Sequence, residues 1–376
     1  MKKRLGIYLH IPFCIKKCLY CDFCSFPDRD GELMRRYVYE LCRRIKEYSC
    51  ACEEYTVDTV YFGGGTPTLL PIECFASLFD CLRESFDISE NCEISCECNP
   101  ASADKDYLRR LRNIGVNRLS IGLQSADDGE LAMLGRAHSF EDFKKIFFDA
   151  REIGFDNISA DLMYGIPNQT KESFEKTLSE LIALSPEHIS VYGLKIEDRT
   201  PFAKMQEKLI LPDEDTEYEM YLMCSDILGR NGYKKYEISN FSKRGRESKH
   251  NLRYWKRDEY LGFGVAAHSF FENVRFGNSR DMEAFLRGED ICEGREAIDK
   301  KESLEEYVML SMRLSDGIDL DEFERRYGIS FYDFYPRSKE LIRGGFLNET
   351  DGHIAFTDKG FFVSNTILAD MIGDES

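Results

Sequence analysis

"YLHIPFCIKKCLYCDFCSF", residues 8–26, places Cys14, Cys18, Cys21 and Cys24 within eleven residues. The short apolar run "GIYLHI" (6–11) leads into it and reads as a strand, so the thiols sit in the loop that leaves the strand. The first three follow the spacing C-x3-C-x2-C, which can wrap one corner of an iron–sulfur cube. Such clusters are normally held by four cysteine thiolates, and three would leave one iron open to an outside ligand. A structural zinc site would need a second pair of ligands from a separate knuckle. "CEC" (96–98) is a poor candidate, because on a strand Cys96 and Cys98 share one face.

The rest of the chain sets the frame for that loop. Strand-like runs at 57–62, 93–98, 117–123, 157–163 and 188–194 follow the one at 6–11. Amphipathic segments at 32–49, 71–86, 104–113, 139–153 and 171–184 lie between them. Repeated strand–helix alternation implies right-handed crossovers and a parallel sheet. Six such units are too few for a closed eight-fold barrel, so the expected fold is α/β, a partial (β/α)6 TIM-like barrel. Residues 1–235 form this unit, 236–302 a connecting region, and 303–376 a small α+β domain of winged-helix type. In that last part helices precede a hairpin turning at Asp351-Gly352, and a final helix follows Asp358.

Composition narrows the function classes. The 50 Lys and Arg face 68 Asp and Glu, a formal net charge of −18. Residues 303–376 carry 15 acidic and 7 basic side chains, so the winged-helix-type domain is not expected to bind DNA. "MKKRLGIYLHIPF" has no long apolar run and no cleavage site, and no stretch approaches a membrane span. The expected location is the cytoplasm, where clustered thiols point to metal rather than disulfides. The ten cysteines outside the loop read as small apolar fillers or surface thiols.

Polar residues mark the ends of successive strands. "FGGGTPT" (62–68) brings Gly64, Gly65 and Thr66, whose backbone can approach a ligand closely. Glu97, Gln124, Arg136 and Asp161 follow the next strands, where α/β sheets collect their chemistry. Tyr8 and His10 share one strand face, and Tyr20 lies between the second and third cysteines. "HNLRYW" (250–255) holds the only tryptophan, with His250 and Tyr254 spaced to share a helix face. An imidazole is a normal axial ligand for heme iron, and aromatic rings suit a porphyrin face. The plain alternative for this segment is a buried histidine in aromatic packing.

"CIKKCLYC" resembles the CxxxCxxC motif of the radical S-adenosylmethionine (SAM) superfamily. The wider text "YLHIPFCIKKCLYCDF" resembles the group that contains the oxygen-independent coproporphyrinogen III oxidases and the heme chaperones. The later motifs match in order, so the resemblance covers nearly the whole chain. It implies a 4Fe–4S cluster on Cys14, Cys18 and Cys21, with the SAM amino and carboxylate groups on the fourth iron. It assigns SAM contacts to Tyr8, Tyr20, Gly64, Gly65, Thr66, Glu97, Gln124, Arg136 and Asp161. Lys195 lies near a further adenosine contact, on a looser match. "HNLRYW" fits HNxxYW, a motif associated with heme handling, and assigns His250 to heme.

Within that group the oxidases carry an extra cysteine where this chain has Phe23, and Cys24 is one place out of step. They also carry a longer N-terminal segment than the thirteen residues before Cys14. The expectation is therefore a heme chaperone without coproporphyrinogen oxidase activity. Its implied partners are heme, an acceptor protein that is soluble or membrane-associated, and an electron donor such as a flavodoxin or ferredoxin. Rival readings are the oxidase itself, a radical SAM methyltransferase acting on heme, and an RNA-modifying enzyme. The acidic balance speaks against the last.

Overall fold

The computed structural model describes residues 2–27 and 31–373. Its centre is six strands: β1 (Lys3–Ile11), β2 (Tyr55–Gly64), β3 (Ile88–Cys98), β4 (Arg118–Gln124), β5 (Ile158–Tyr164) and β6 (His188–Gly193). They pair in chain order and each is parallel to the next. Parallel neighbours need long crossovers. These are helices α1 (Glu32–Glu47), α2 (Ile72–Ser85), α3 (Lys105–Ile114), α4 (Asp128–Met133), α5 (Phe140–Ile153) and α6 (Lys171–Leu184). Local chemistry starts and stops them. Asp104, Ser139 and Thr170 cap the N-termini of α3, α5 and α6 through their side chains.

Alternation along each strand separates two environments. The outward positions are apolar: Ile7, Leu9, Val60, Phe62, Leu119, Ile121, Ala160 and Leu162 are buried beneath the helices. The inward positions are polar: Thr59 and Tyr61 on β2, Glu93 and Glu97 on β3, Arg118 and Ser120 on β4, Asp161 on β5, Ser190 on β6. A strand's period of two makes this division automatic once one face is committed to the helices.

The barrel stays open because both edges are taken by later strands. Helices α7 (Pro201–Met205) and α8 (Glu214–Arg230) lead to β7 (Lys234–Lys235) and β8 (Asn240–Ser242), and β8 pairs antiparallel with β6. After α9 (Lys249–Trp255), strand β9 (Tyr260–Phe263) pairs parallel with β1. Antiparallel β10 (His268–Phe271), β11 (Val274–Asn278) and β12 (Cys292–Ala297) complete a twelve-stranded sheet. Residues 236–302, expected as a connecting region, thus supply β8 to β12. These strands are short and β12 is largely exposed, so their sequences lack an apolar strand pattern.

The C-terminal part has its own core around Val308, Met312, Ile318, Phe323, Leu347, Ile354 and Phe356. Among the described residues, four helices before the hairpin, two after it and a three-stranded sheet of β13 (Ile318–Asp319), β14 (Leu347–Thr350) and β15 (His353–Phe356) give it the winged-helix-type form. Its hairpin turns at Asp351 and Gly352, both with positive φ (51° and 77°), as a type I′ turn requires.

Candidate functional site

The cysteine loop leaves β1 and lies over the C-terminal ends of the parallel strands. It closes one side of a cavity of about 350 Å³. Cys14, Cys18, Cys21 and Tyr20 line it from the loop, Gly64, Gly65 and Thr66 from the end of β2, and Glu97 from β3. Gln124, Arg136 and Asp161 line it as well. Eleven residues read from separate motifs therefore meet at one place.

Three of them sit where the chain packs tightly on itself or takes a left-handed conformation. A Cβ on Gly64, whose φ is +114°, would lie 2.6 Å from the His10 ring. One on Gly65 would lie 2.6 Å from the Phe13 carbonyl oxygen. Gln124 has φ 73°, an uncommon conformation for a side-chain-bearing residue, where the β4–β5 register shifts.

Two carboxyl groups face the cavity from a buried polar layer. Glu97 accepts from the Tyr61 hydroxyl and the Gly64 N–H, both at 3.1 Å. Burial and the neighbouring Asp161 push its pKa up to about 7. Burial also raises Asp161, against hydrogen bonds from Ser190 and Ser120 and the charges of Arg118 and Arg136. The Nε atoms of Arg118 and Arg136 are buried without a partner. Two buried carboxyls beside unsatisfied guanidinium donors suit a ligand that carries both a cation and a carboxylate.

Tyr8 and His10 do share a face, and the Tyr8 hydroxyl lies 3.0 Å from His10 Nδ1. They support the wall instead of lining it, since His10 Nε2 meets the Cys24 carbonyl at 3.2 Å. Cys24 is buried away from the cavity. Lys195 is exposed and paired with Glu197. His250 does not reach the cavity wall. It is 1 % exposed, with Nδ1 2.9 Å from Thr59 Oγ1 and Nε2 2.8 Å from the Tyr254 hydroxyl. As placed, neither ring nitrogen is free to meet an iron; helix α9 turns this face inward against β2. Its neighbour Asn251 is the residue of "HNLRYW" that lines the cavity.

Sequence reasoning passed over Tyr61, Arg118, Ser120, Ser190 and Tyr192, which also line the cavity. Counting by twos along β2, β4 and β6 would have found them, since each lies on its strand's inward face.

Residues 8–181 match the model of the radical SAM superfamily, and residues 298–363 that of the HemN C-terminal domain. The heme chaperone HemW of Bacillus subtilis is 34% identical, over 98% of this chain and 99% of its own. The chain belongs to the HemW family. The HemW of Escherichia coli is 31% identical over 97% of both chains. Among solved structures, coproporphyrinogen III oxidase (HemN) from Escherichia coli, a radical SAM enzyme, superposes with a TM-score of 0.86. It is 26% identical and covers 98% of this chain and 90% of its own.

A place in the radical SAM superfamily implies a 4Fe–4S cluster and SAM for this HemW family member. The residues present fit both. The three thiols open on one cavity, with Thr66 Oγ1 3.7 Å from Cys14 Sγ and Arg136 Nη1 3.5 Å from Cys18 Sγ. Donors to sulfur are the usual surroundings of cluster thiolates. Burial raises the Cys14 and Cys21 thiols, so their ionised forms need a bound cation. Among the described residues no three His, Cys, Asp or Glu side chains converge as ligands of a single ion. No helix of the described residues is long and apolar enough to cross a membrane.

Proposed function

We propose that this protein binds heme and delivers it to an acceptor protein, on a scaffold that keeps its cluster and SAM sites. The observation that carries the reading is full-length similarity to heme chaperones, 34% identity over 98% of the chain. Cys14, Cys18 and Cys21 hold the cluster, and Cys24 takes no part. Bound together, the cluster and SAM supply one-electron chemistry at the cavity.

The chain's own residues then have distinct tasks. Gly64, Gly65 and Thr66 bring the backbone up against the amino-acid end of SAM. Glu97 and Asp161 meet its ammonium or its hydroxyls, and Arg136 its carboxylate. Gln124 and Tyr20 flank the adenosine. Tyr8 acts from behind the wall. A cytoplasmic location and a flavodoxin- or ferredoxin-type electron donor belong to the same reading. The acceptor, soluble or membrane-associated, is the protein that consumes the heme.

One experiment tests the function against its rival. Protein reconstituted anaerobically is titrated with hemin, then given SAM, an electron donor and coproporphyrinogen III. The expected outcome is stoichiometric heme binding with no decarboxylated porphyrin. Many turnovers to protoporphyrinogen would replace the chaperone by the oxidase, which the similarity to HemN favours. Consumption of heme would point to the methyltransferase instead. A second measurement addresses the cavity. Asp161→Ala should weaken SAM binding by about 1–3 kcal/mol, the worth of hydrogen bonds to a charged group. Unchanged calorimetric affinity in both Asp161→Ala and Glu97→Ala would remove SAM from this cavity.

A further inference from the structure

The segment "HNLRYW" is expected to touch heme, yet its histidine is built into the floor of the barrel. Ser248 caps α9, and the Lys249 and His250 N–H groups donate to the buried Glu93 carboxylate at 3.1 and 3.2 Å. Glu93 and Glu97 lie on the same inward face of β3. Arg253, 5% exposed, pairs with Asp58 and donates to the Glu259 carbonyl at 3.1 Å. It crosses β1 at Gly6, where a Cβ would lie 2.4 Å from Arg253 Cδ. Helix α9 therefore plugs the barrel from below and is pinned at both ends.

Inside this plug the His250 ring lies nearly parallel to Tyr61, at 5.3 Å and 25°. It also stacks on Tyr8, at 6.4 Å and 29°. Both ring nitrogens are engaged, by Thr59 and Tyr254. The Tyr61 hydroxyl in turn donates to Glu97 Oε1 in the cavity wall. Thr59 and Tyr61 are neighbours on one face of β2, so His250 holds that strand's inward face by an edge bond and a ring contact together.

We propose that His250 is a positioning residue of the SAM cavity: it holds Tyr61 so that the Tyr61 hydroxyl stays on Glu97, and it is not an iron ligand. Breaking the two ring bonds to free a nitrogen would leave Thr59 and Tyr254 without their buried partner. This rests on the SAM cavity of the proposed function and extends it to a residue that the cavity does not touch.

The test uses the reconstituted protein and four variants: His250→Ala, His250→Phe, Tyr61→Phe, and His250→Ala with Tyr61→Phe. SAM affinity is read by calorimetry and heme ligation by the Soret spectrum in a hemin titration. His250→Ala and Tyr61→Phe are each expected to weaken SAM binding about tenfold, the loss of one hydrogen bond to a charged group. The double variant should be no weaker than His250→Ala alone, because both act through one bond. His250→Phe keeps a ring against Tyr61 and should recover most of the affinity. The heme spectrum should stay that of the parent throughout.

Unchanged SAM affinity in His250→Ala, or additive losses in the double variant, would overturn the proposal. So would an altered Soret spectrum, which would return His250 to the iron. If His250→Ala does not fold, Tyr61→Phe and His250→Phe decide. Parent-like SAM affinity in Tyr61→Phe, or loss of affinity in a folded His250→Phe, sinks it. No SAM binding by the parent protein would sink the cavity reading itself, and this one with it.

Discussion

At the scale of single residues, position within the cysteine loop separates ligands from bystanders. Cys14, Cys18 and Cys21 open on the cavity, whereas Cys24 is buried and its carbonyl accepts from His10. Ala at any of the first three should abolish the cluster absorption after anaerobic reconstitution, and Cys24→Ala should retain it. Glu97 gives a pH signature. Its pKa near 7, raised by burial and by Asp161, lies above the unfolded value. Its contribution to folding is therefore present below about pH 4.5 and lost as pH rises through about 7. Binding of a cationic ligand has the opposite dependence, because only the ionised carboxylate attracts it. SAM affinity should rise as pH goes from 6 to 8, by up to about tenfold per unit below the midpoint. A flat calorimetric profile over that range would detach Glu97 from the ligand's ammonium group.

At the scale of elements, α9 shows what a short helix needs to stay in place. Seven residues cannot form a stable helix alone. The Ser248 cap, the Glu93 carboxylate and the Arg253–Asp58 pair supply what propensity lacks. Arg253→Leu would leave Asp58 without its cation at the base of β2. Asp58 keeps some solvent contact, at 28% exposure, so the expected cost is below that of a fully buried broken pair. A loss of about 2–3 kcal/mol in denaturant unfolding is expected. A loss under about 0.5 kcal/mol would mean that α9 is held by packing alone.

At the scale of the whole molecule, two partly buried charged clusters help to join the barrel to the C-terminal part. Lys235 of β7 donates to the Tyr221 hydroxyl at 2.8 Å and pairs with Asp358 at 2.5 Å. Its ammonium also sits over Tyr221, Phe241 and Phe361, at 4.3, 5.2 and 5.5 Å. Arg257 and Arg275 both pair with Glu306, at 2.7 and 2.9 Å. Burial lowers the pKa of Lys235, and Asp358 opposes that shift. Asp358→Ala should therefore cost about 1–3 kcal/mol, discounted for the half-exposed carboxylate. Hydrogen exchange should quicken in β7, β8 and the helices after Thr357, leaving β2 to β5 as protected as before. Equal protection everywhere would show that the apolar contacts hold the join unaided.

The order of β1 to β6, the crossover helices and the three ligand-spaced thiols follow from the sequence alone. So do the polar residues that end successive strands. All of these rest on local regularities: a period of two along a strand, a cap at a helix start, and the spacing of three thiols in one loop. Tertiary structure decided what depends on distant partners. It joined β9 to β1, turned residues 236–302 into part of the sheet, and brought Arg118, Ser190 and Asn251 to the cavity. It also turned His250 inward against Thr59, 191 positions away in sequence, although its motif is associated with heme handling. A motif names a residue's chemistry, but where its lone pairs point depends on which buried groups the rest of the chain brings against it.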